Sequence, residues 1–179
     1  MAEATHAHHR SLAPATAALR VAIVTASDSR TPATNEGGRT LRQLLEGAGF
    51  AISADELVRE EPDRLREVVA ALAGGGGADA VVVTGGTGLA PRDRTPEAVG
   101  ALFDRRLPGF GELFRMLSFQ EIGAAAMLSR ADAGTIGRVL VFLLPGSPAA
   151  VELAVRKLIA PELAHAVGQL RRGETAHGA

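Results

Sequence analysis

Cysteine, tryptophan and tyrosine are missing from this 179-residue chain, and lysine occurs once, as Lys157. Histidine is confined to the ends, at His6, His8, His9, His165 and His177. These absences argue against a cysteine nucleophile, a thiolate metal centre, a central histidine base and the lysine of a P-loop. Chemistry in such a chain falls to carboxylates, arginines, hydroxyls, backbone amides and a borrowed metal ion. An excess of one charge is also lacking. The formal net charge is −1, so no basic field gathers nucleic acid or an anionic membrane. No apolar run approaches the roughly 20 residues of a membrane span. The opening MAEATHAHHRSLAPATAALR has no apolar h-region of a signal peptide. Together with the absent cysteine, this gives the expectation of a cytoplasmic protein.

What is present is an ordinary globular composition, 46% hydrophobic and 22% charged, long enough for one domain and too short for two. Residues 1–18 read as a disordered arm and 171–179 as a loose tail, leaving a single domain over 19–170. Within it, apolar runs and helical periods alternate. RVAIVTAS (20–27), FAISADELV (50–58), ADAVVVTG (78–85) and RVLVFLLPG (138–146) read as strands. Helices are expected over 37–49, 61–73, 95–105 and 110–123. A long one is expected over 147–170, kinked or broken at Pro161. This alternation predicts an α/β fold: a three-layer α/β/α sandwich with a mostly parallel central sheet.

In such sheets ligands collect beyond the carboxyl ends of the strands. Three of those ends carry polar or glycine-rich turns: TASDSR (25–30), TGGTG (84–88) and PGSP (145–148). Glycines allow positive φ and close approach of backbone to ligand. Successive amides in such a turn form an anion-binding concavity. Thr84 and Thr87 add hydroxyl donors. Asp93 follows shortly, either as a turn-forming residue or as a carboxylate that carries Mg²⁺ to a polyphosphate. Thr95 is expected to cap the next helix, with Pro96 in its first turn. Ser147 has both a capping and an anion-binding reading. Asp28 and Arg30 read as a local ion pair. Three such loops on one sheet edge point to a phosphate-rich ligand.

The blocks TGGTGLAPRDRTPEA, LFDRRLPGFGELFRMLSFQEIGAAAMLSRADAG and LLPGSPAAV, in that order, resemble the MoaB/Mog molybdenum cofactor biosynthesis family. The resemblance runs from about Arg20 to Leu170 and is nearer the MoaB branch. It implies binding of molybdopterin, a pterin with a dithiolene and a terminal phosphate. It also implies an adenylyltransferase that joins this phosphate to the AMP of Mg-ATP and releases pyrophosphate. Asp93 matches the family's RD aspartate. The second acid falls best on Glu60, where the Mog branch has aspartate, with Glu61 and Asp63 as neighbouring candidates. Asp93 and Glu60 would then hold Mg²⁺. Asn35 and Gly37 stand where the family usually has an acidic residue and serine, and Glu36 could supply the charge. Ser27, Gly38, Thr84, Gly85, Gly86, Thr87, Gly88, Ser129, Arg130, Pro145, Gly146 and Ser147 fall on the implied ligand loops. A molybdopterin carrier without transfer activity is the alternative. A homotrimer or hexamer, and hand-over to a molybdenum insertase, are the implied partnerships. The apolar residues crowded into PGFGELFRMLSF (108–119) agree with self-association.

Overall fold

The computed structural model describes residues 14–172. Much of the expected arm and tail, with His6, His8, His9 and His177, lies outside the described residues. Of the arm's described part, Thr16–Ala18 forms one 3₁₀ turn, leading to the buried Leu19.

Six strands form one sheet: β1 (Arg20–Ala26), β2 (Ala51–Val58), β3 (Ala80–Thr84), β4 (Arg105–Arg106), β5 (Asp132–Ile136) and β6 (Val139–Leu144), in the order β2-β1-β3-β6-β5-β4. The first four in that order run parallel, and β5 pairs antiparallel with both β6 and β4. The helices are α1 (Glu36–Gly47), α2 (Pro62–Gly74), α3 (Thr95–Gly100), α4 (Pro108–Ile122), α5 (Pro148–Ala154) and α6 (Ala160–Arg171). The alternating side chains of the strands separate onto two faces. Val21, Ile23, Val82 and Phe142 pack with α1, α4, α5 and α6. Val24, Val81, Val141 and Leu143 pack with α2 and α3 on the other side. Helices thus cover both faces of a mostly parallel sheet, the expected three-layer fold. Each such buried aliphatic side chain contributes about 1.5–3 kcal/mol, which explains why strands without polar positions sit at the centre.

Four local expectations change. The helix expected over 95–105 ends at Gly100, whose carbonyl accepts the Arg106 guanidinium at 3.1 Å. The chain then turns outward into β4. Residues 132–136, where no strand was expected, form β5, joined to β6 by a two-residue turn in which Gly137 has φ 56°. Thr95 is not the cap of α3: its backbone is already helical, and its fully buried hydroxyl has no hydrogen-bond partner among the described residues. The last helix passes through Pro161 without a break. A π turn over Val155–Ile159 precedes it, with the Ala160 amide donating to Val155 five residues back. That wider turn provides the room a proline ring needs against the preceding turn.

Candidate functional site

The register puts Thr25 beside Thr84 and Thr84 beside Leu144. The loops after β1, β3 and β6 therefore emerge side by side. They enclose a cavity of about 540 Å³, whose other wall is Phe114, Ser118 and Ile122 of α4 and Ala125, Ala126 and Leu128 of the 3₁₀ turn after it. One wall is polar backbone and carboxylate, the other apolar apart from Ser118.

Two positions of the glycine loop fit only as glycine. Gly85 has φ 105°, and a Cβ there would lie 2.1 Å from the Ala26 carbonyl oxygen. Gly86 has φ 63°, and its Cβ would lie 2.3 Å from the Thr95 hydroxyl. Positive φ and a close neighbour each bar a side chain. The amides of Gly86, Thr87 and Gly88 meet no protein acceptor among the described residues, leaving three donors for a ligand. Thr84 departs from its expected role. Its buried hydroxyl donates to the Pro145 carbonyl at 3.0 Å, tying the β3 loop to the β6 loop. Ser147 caps α5, accepting the Ala150 amide at 3.3 Å.

Asp93 lies half-buried on the cavity wall, its Oδ2 accepting the Ala90 amide at 3.0 Å. Arg130 braces it from behind. Its guanidinium donates to the carbonyls of Gly88 and Asp93 and pairs with Glu97. Arg130 therefore does not line the main cavity; it fixes the backbone that presents Asp93. Ser129 does line it, and its hydroxyl accepts the Ala131 amide. Of the three candidate second acids, Glu60 alone faces the cavity. Glu61 pairs with Arg59 at 3.3 Å and Asp63 with Arg66 at 2.8 Å, both on the exposed surface. Burial raises the Glu60 carboxyl above its ordinary value, with the charges of Asp93 and then Asp28 adding to the rise against the opposing pull of Arg92.

Asp28 does not pair with Arg30. It takes the Arg92 guanidinium, which holds its carboxyl below the ordinary range, and accepts the Glu60 amide at 3.2 Å. This link positions the β2 loop against the glycine loop.

Asn35 and Gly37, departures from the resembled pattern, are both built into the site. Asn35 caps α1 by accepting the Gly38 amide at 3.0 Å, and donates to the Thr25 hydroxyl at 2.9 Å. A Cβ on Gly37 would lie 2.5 Å from the Gly146 carbonyl oxygen, so Gly37 lets two loops touch. Asn35 and Gly37 line the cavity, whereas Gly38 is packed beneath Asn35 and Thr25. Asparagine ahead of a helical period is a capping signal, and that signal was there to be read.

Fold and site together define an α/β domain with a ligand cavity of glycine loops and two carboxylates at the carboxyl edge of a parallel sheet. A family model described as "Probable molybdopterin binding domain" matches residues 22–165. Molybdenum cofactor biosynthesis protein B of Bacillus subtilis (strain 168) is 50% identical over 155 residues, 86% of this chain and 91% of that protein. A crystal structure of a molybdenum cofactor biosynthesis protein B superposes with a TM-score of 0.85 at 48% identity, covering 89% of this chain and 99% of that one. The tungsten cofactor synthesizing protein MoaB from Pyrococcus furiosus gives 0.76 at 36% identity, covering 89% and 99%. The chain belongs to this molybdopterin-binding domain family of molybdenum cofactor biosynthesis proteins. No helix among the described residues is long and apolar enough to cross a membrane.

Proposed function

We propose that the chain binds molybdopterin and transfers AMP from Mg-ATP to its terminal phosphate, releasing pyrophosphate. The observation that carries this reading is the shared cavity of Asp93, Glu60 and the glycine loop. Family membership supplies the pterin, and the apolar wall around Phe114 suits a flat ring system. In the transfer, an oxygen of the terminal phosphate forms a bond to the α-phosphorus of ATP. The bond to the bridging oxygen breaks, and pyrophosphate leaves with the electron pair. A phosphate nucleophile needs no strong base, so positioning and charge neutralisation carry the catalysis.

Magnesium fits the donor set. It takes oxygen ligands and commonly sits on one or two carboxylates plus substrate phosphates. Asp93 and Glu60 meet that description, while no larger acidic or histidine cluster for a metal occurs among the described residues. These two side chains would hold the ion, which when bound neutralises phosphate charge at the reacting centre. The chain's own amides at Gly86–Gly88 bind and orient phosphate oxygens, and the Arg130 brace keeps Asp93 in place.

A carrier that binds molybdopterin without transfer is the second reading. It is favoured by Glu60, whose side chain is one methylene longer than aspartate and whose carboxyl burial raises above its ordinary value. Pyrophosphate release that requires both molybdopterin and ATP supports the transferase. Tight pterin binding with no release supports the carrier. The exposed apolar side chains of α4, among them Met116, Phe119 and Ile122, support assembly into a trimer or a hexamer. ATP as a substrate agrees with a cytoplasmic setting, where the product would pass to a molybdenum insertase.

A further inference from the structure

The site just described carries two carboxylates, yet its proposed ligands are polyanions. Where the compensating positive charge comes from, beyond a metal ion, can be read from the arginines around the cavity. Arg92 is spent on Asp28. Arg59 lies between Asp28 and Glu61. Arg130 is spent on Glu97 and two carbonyls. Arg30 differs. Among the described residues, it is the one cationic side chain on the cavity wall, and it forms no ion pair.

Its placement is built rather than incidental. The Ser27 hydroxyl accepts the amides of Ser29 at 3.3 Å and Arg30 at 3.1 Å, fixing the backbone as it leaves β1. Downstream, Thr31 and Thr34 close a turn through the Thr31 amide and the Thr34 hydroxyl at 2.9 Å. The Arg30 guanidinium reaches across that turn and donates to the Thr34 carbonyl at 3.0 Å. One edge of the planar fork is thereby anchored, and its other N–H groups remain for an acceptor. A guanidinium with one edge pre-positioned loses little freedom on gripping a second group.

We infer that Arg30 is the polyphosphate clamp of this site, gripping the β- and γ-phosphates of the nucleotide and stabilising the pyrophosphate that leaves. The inference rests on the adenylyl-transfer reading, because that reaction is what places a polyphosphate here. As the bond from the α-phosphorus to its bridging oxygen breaks, the electron pair stays on that oxygen. A fixed guanidinium beside it strengthens its hold as the charge grows. The terminal phosphate of molybdopterin offers similar chemistry, so the test separates the two sources.

Binding of Mg-ATP, of Mg-pyrophosphate and of molybdopterin alone is measured by calorimetry for the wild type, Arg30→Gln and Arg30→Lys. Arg30 is exposed, so both variants are expected to fold, and far-ultraviolet dichroism with a thermal scan verifies this. Loss of a charge-assisted pair weakens binding about 10- to 100-fold. Arg30→Gln is expected to lose that much toward Mg-ATP and Mg-pyrophosphate, with molybdopterin binding within twofold of wild type. Arg30→Lys keeps the charge but not the fork, and is expected to fall between. Unchanged Mg-pyrophosphate binding in Arg30→Gln overturns the inference, as does a loss confined to molybdopterin. A wild-type protein that binds neither Mg-ATP nor Mg-pyrophosphate overturns the adenylyl-transfer reading itself, and the clamp with it.

Discussion

Replacing Gly88 by alanine perturbs the site while both carboxylate residues stay in the chain. Gly88 has no positive φ, so alanine meets no backbone strain there. Its Cβ, however, would lie 2.7 Å from the Asp93 Oδ2, well inside the 3.4 Å at which ordinary contact begins. The carboxylate must withdraw by roughly 0.7 Å, since overlap at that distance is steeply repulsive. That movement breaks the bond from the Ala90 amide to Oδ2, which costs about 1 kcal/mol. For a domain of this size, the melting temperature falls by about 2–4 °C. The effect on chemistry is much larger, because misplacing a reacting group by about 1 Å costs on the order of 100-fold in rate. Gly88→Ala is therefore expected to fold, to bind molybdopterin and to lose about two orders of magnitude of AMP transfer. The assay is pyrophosphate release at saturating Mg-ATP, paired with a thermal scan. Wild-type turnover in a variant with a slightly lowered melting temperature would refute the reasoning, because the displaced carboxylate would then be dispensable. A collapse in stability would instead mean that Gly88 matters for folding.

Two further outcomes follow from the same geometry. Glu60 binds its proton more tightly in the folded chain than in the unfolded one, chiefly because it is buried and then because it faces Asp93. Its stabilising contribution is full below the ordinary value of 4.5 and is lost as pH rises through the raised folded value. Glu60→Gln, compared with wild type by thermal scans in chelator, should match it near about pH 4 and melt higher at about pH 8; a lower melting temperature at the higher pH contradicts the cause assigned. The apolar face of α4 leaves Met116 and Phe119 more than half exposed, so light scattering at micromolar concentration should report a multiple of the 18.4 kDa chain. Met116→Ser with Phe119→Ser should lower that mass, and a monomeric wild type contradicts the assembly.

The parallel half of the sheet was legible because β1, β3 and β6 are nearly unbroken apolar runs, the mark of strands covered on both faces. β5 escaped because it lies toward the sheet edge and carries Asp132, Gly134 and Thr135 in place of an apolar run. Gly134 is there for packing: a Cβ would lie 2.4 Å from the Phe103 ring. Its partner signal, Gly137-Arg138 between two extended segments, was the readable clue. The glycine loop and Asp93 were legible from local chemistry. The resemblance put the second acid best on Glu60, with Glu61 and Asp63 beside it; that Glu60 is the one facing the cavity depends on which way the chain leaves β2 once Asp28 takes the Glu60 amide. Arg130 shows the same limit. Its position in the sequence suggested a ligand contact, while its side chain turns back onto carbonyls 42 and 37 residues away. Long-range pairings of that kind leave no trace in periodicity or spacing. Gly37 looked like a lost serine until the distance to Gly146 gave its reason.

The most direct measurement is pyrophosphate release by wild type and Asp93→Asn, each with purified molybdopterin and Mg-ATP, alongside molybdopterin affinity for both. Asparagine preserves size and the turn hydrogen bond to Ala90 while removing the charge. The wild type should release pyrophosphate only when both substrates are present. Asp93→Asn should bind molybdopterin as tightly and release pyrophosphate at least ~100-fold more slowly, the scale of one lost transition-state contact. Release at the wild-type rate from Asp93→Asn, or none from the wild type despite tight binding, would contradict an adenylyltransferase built on this cavity.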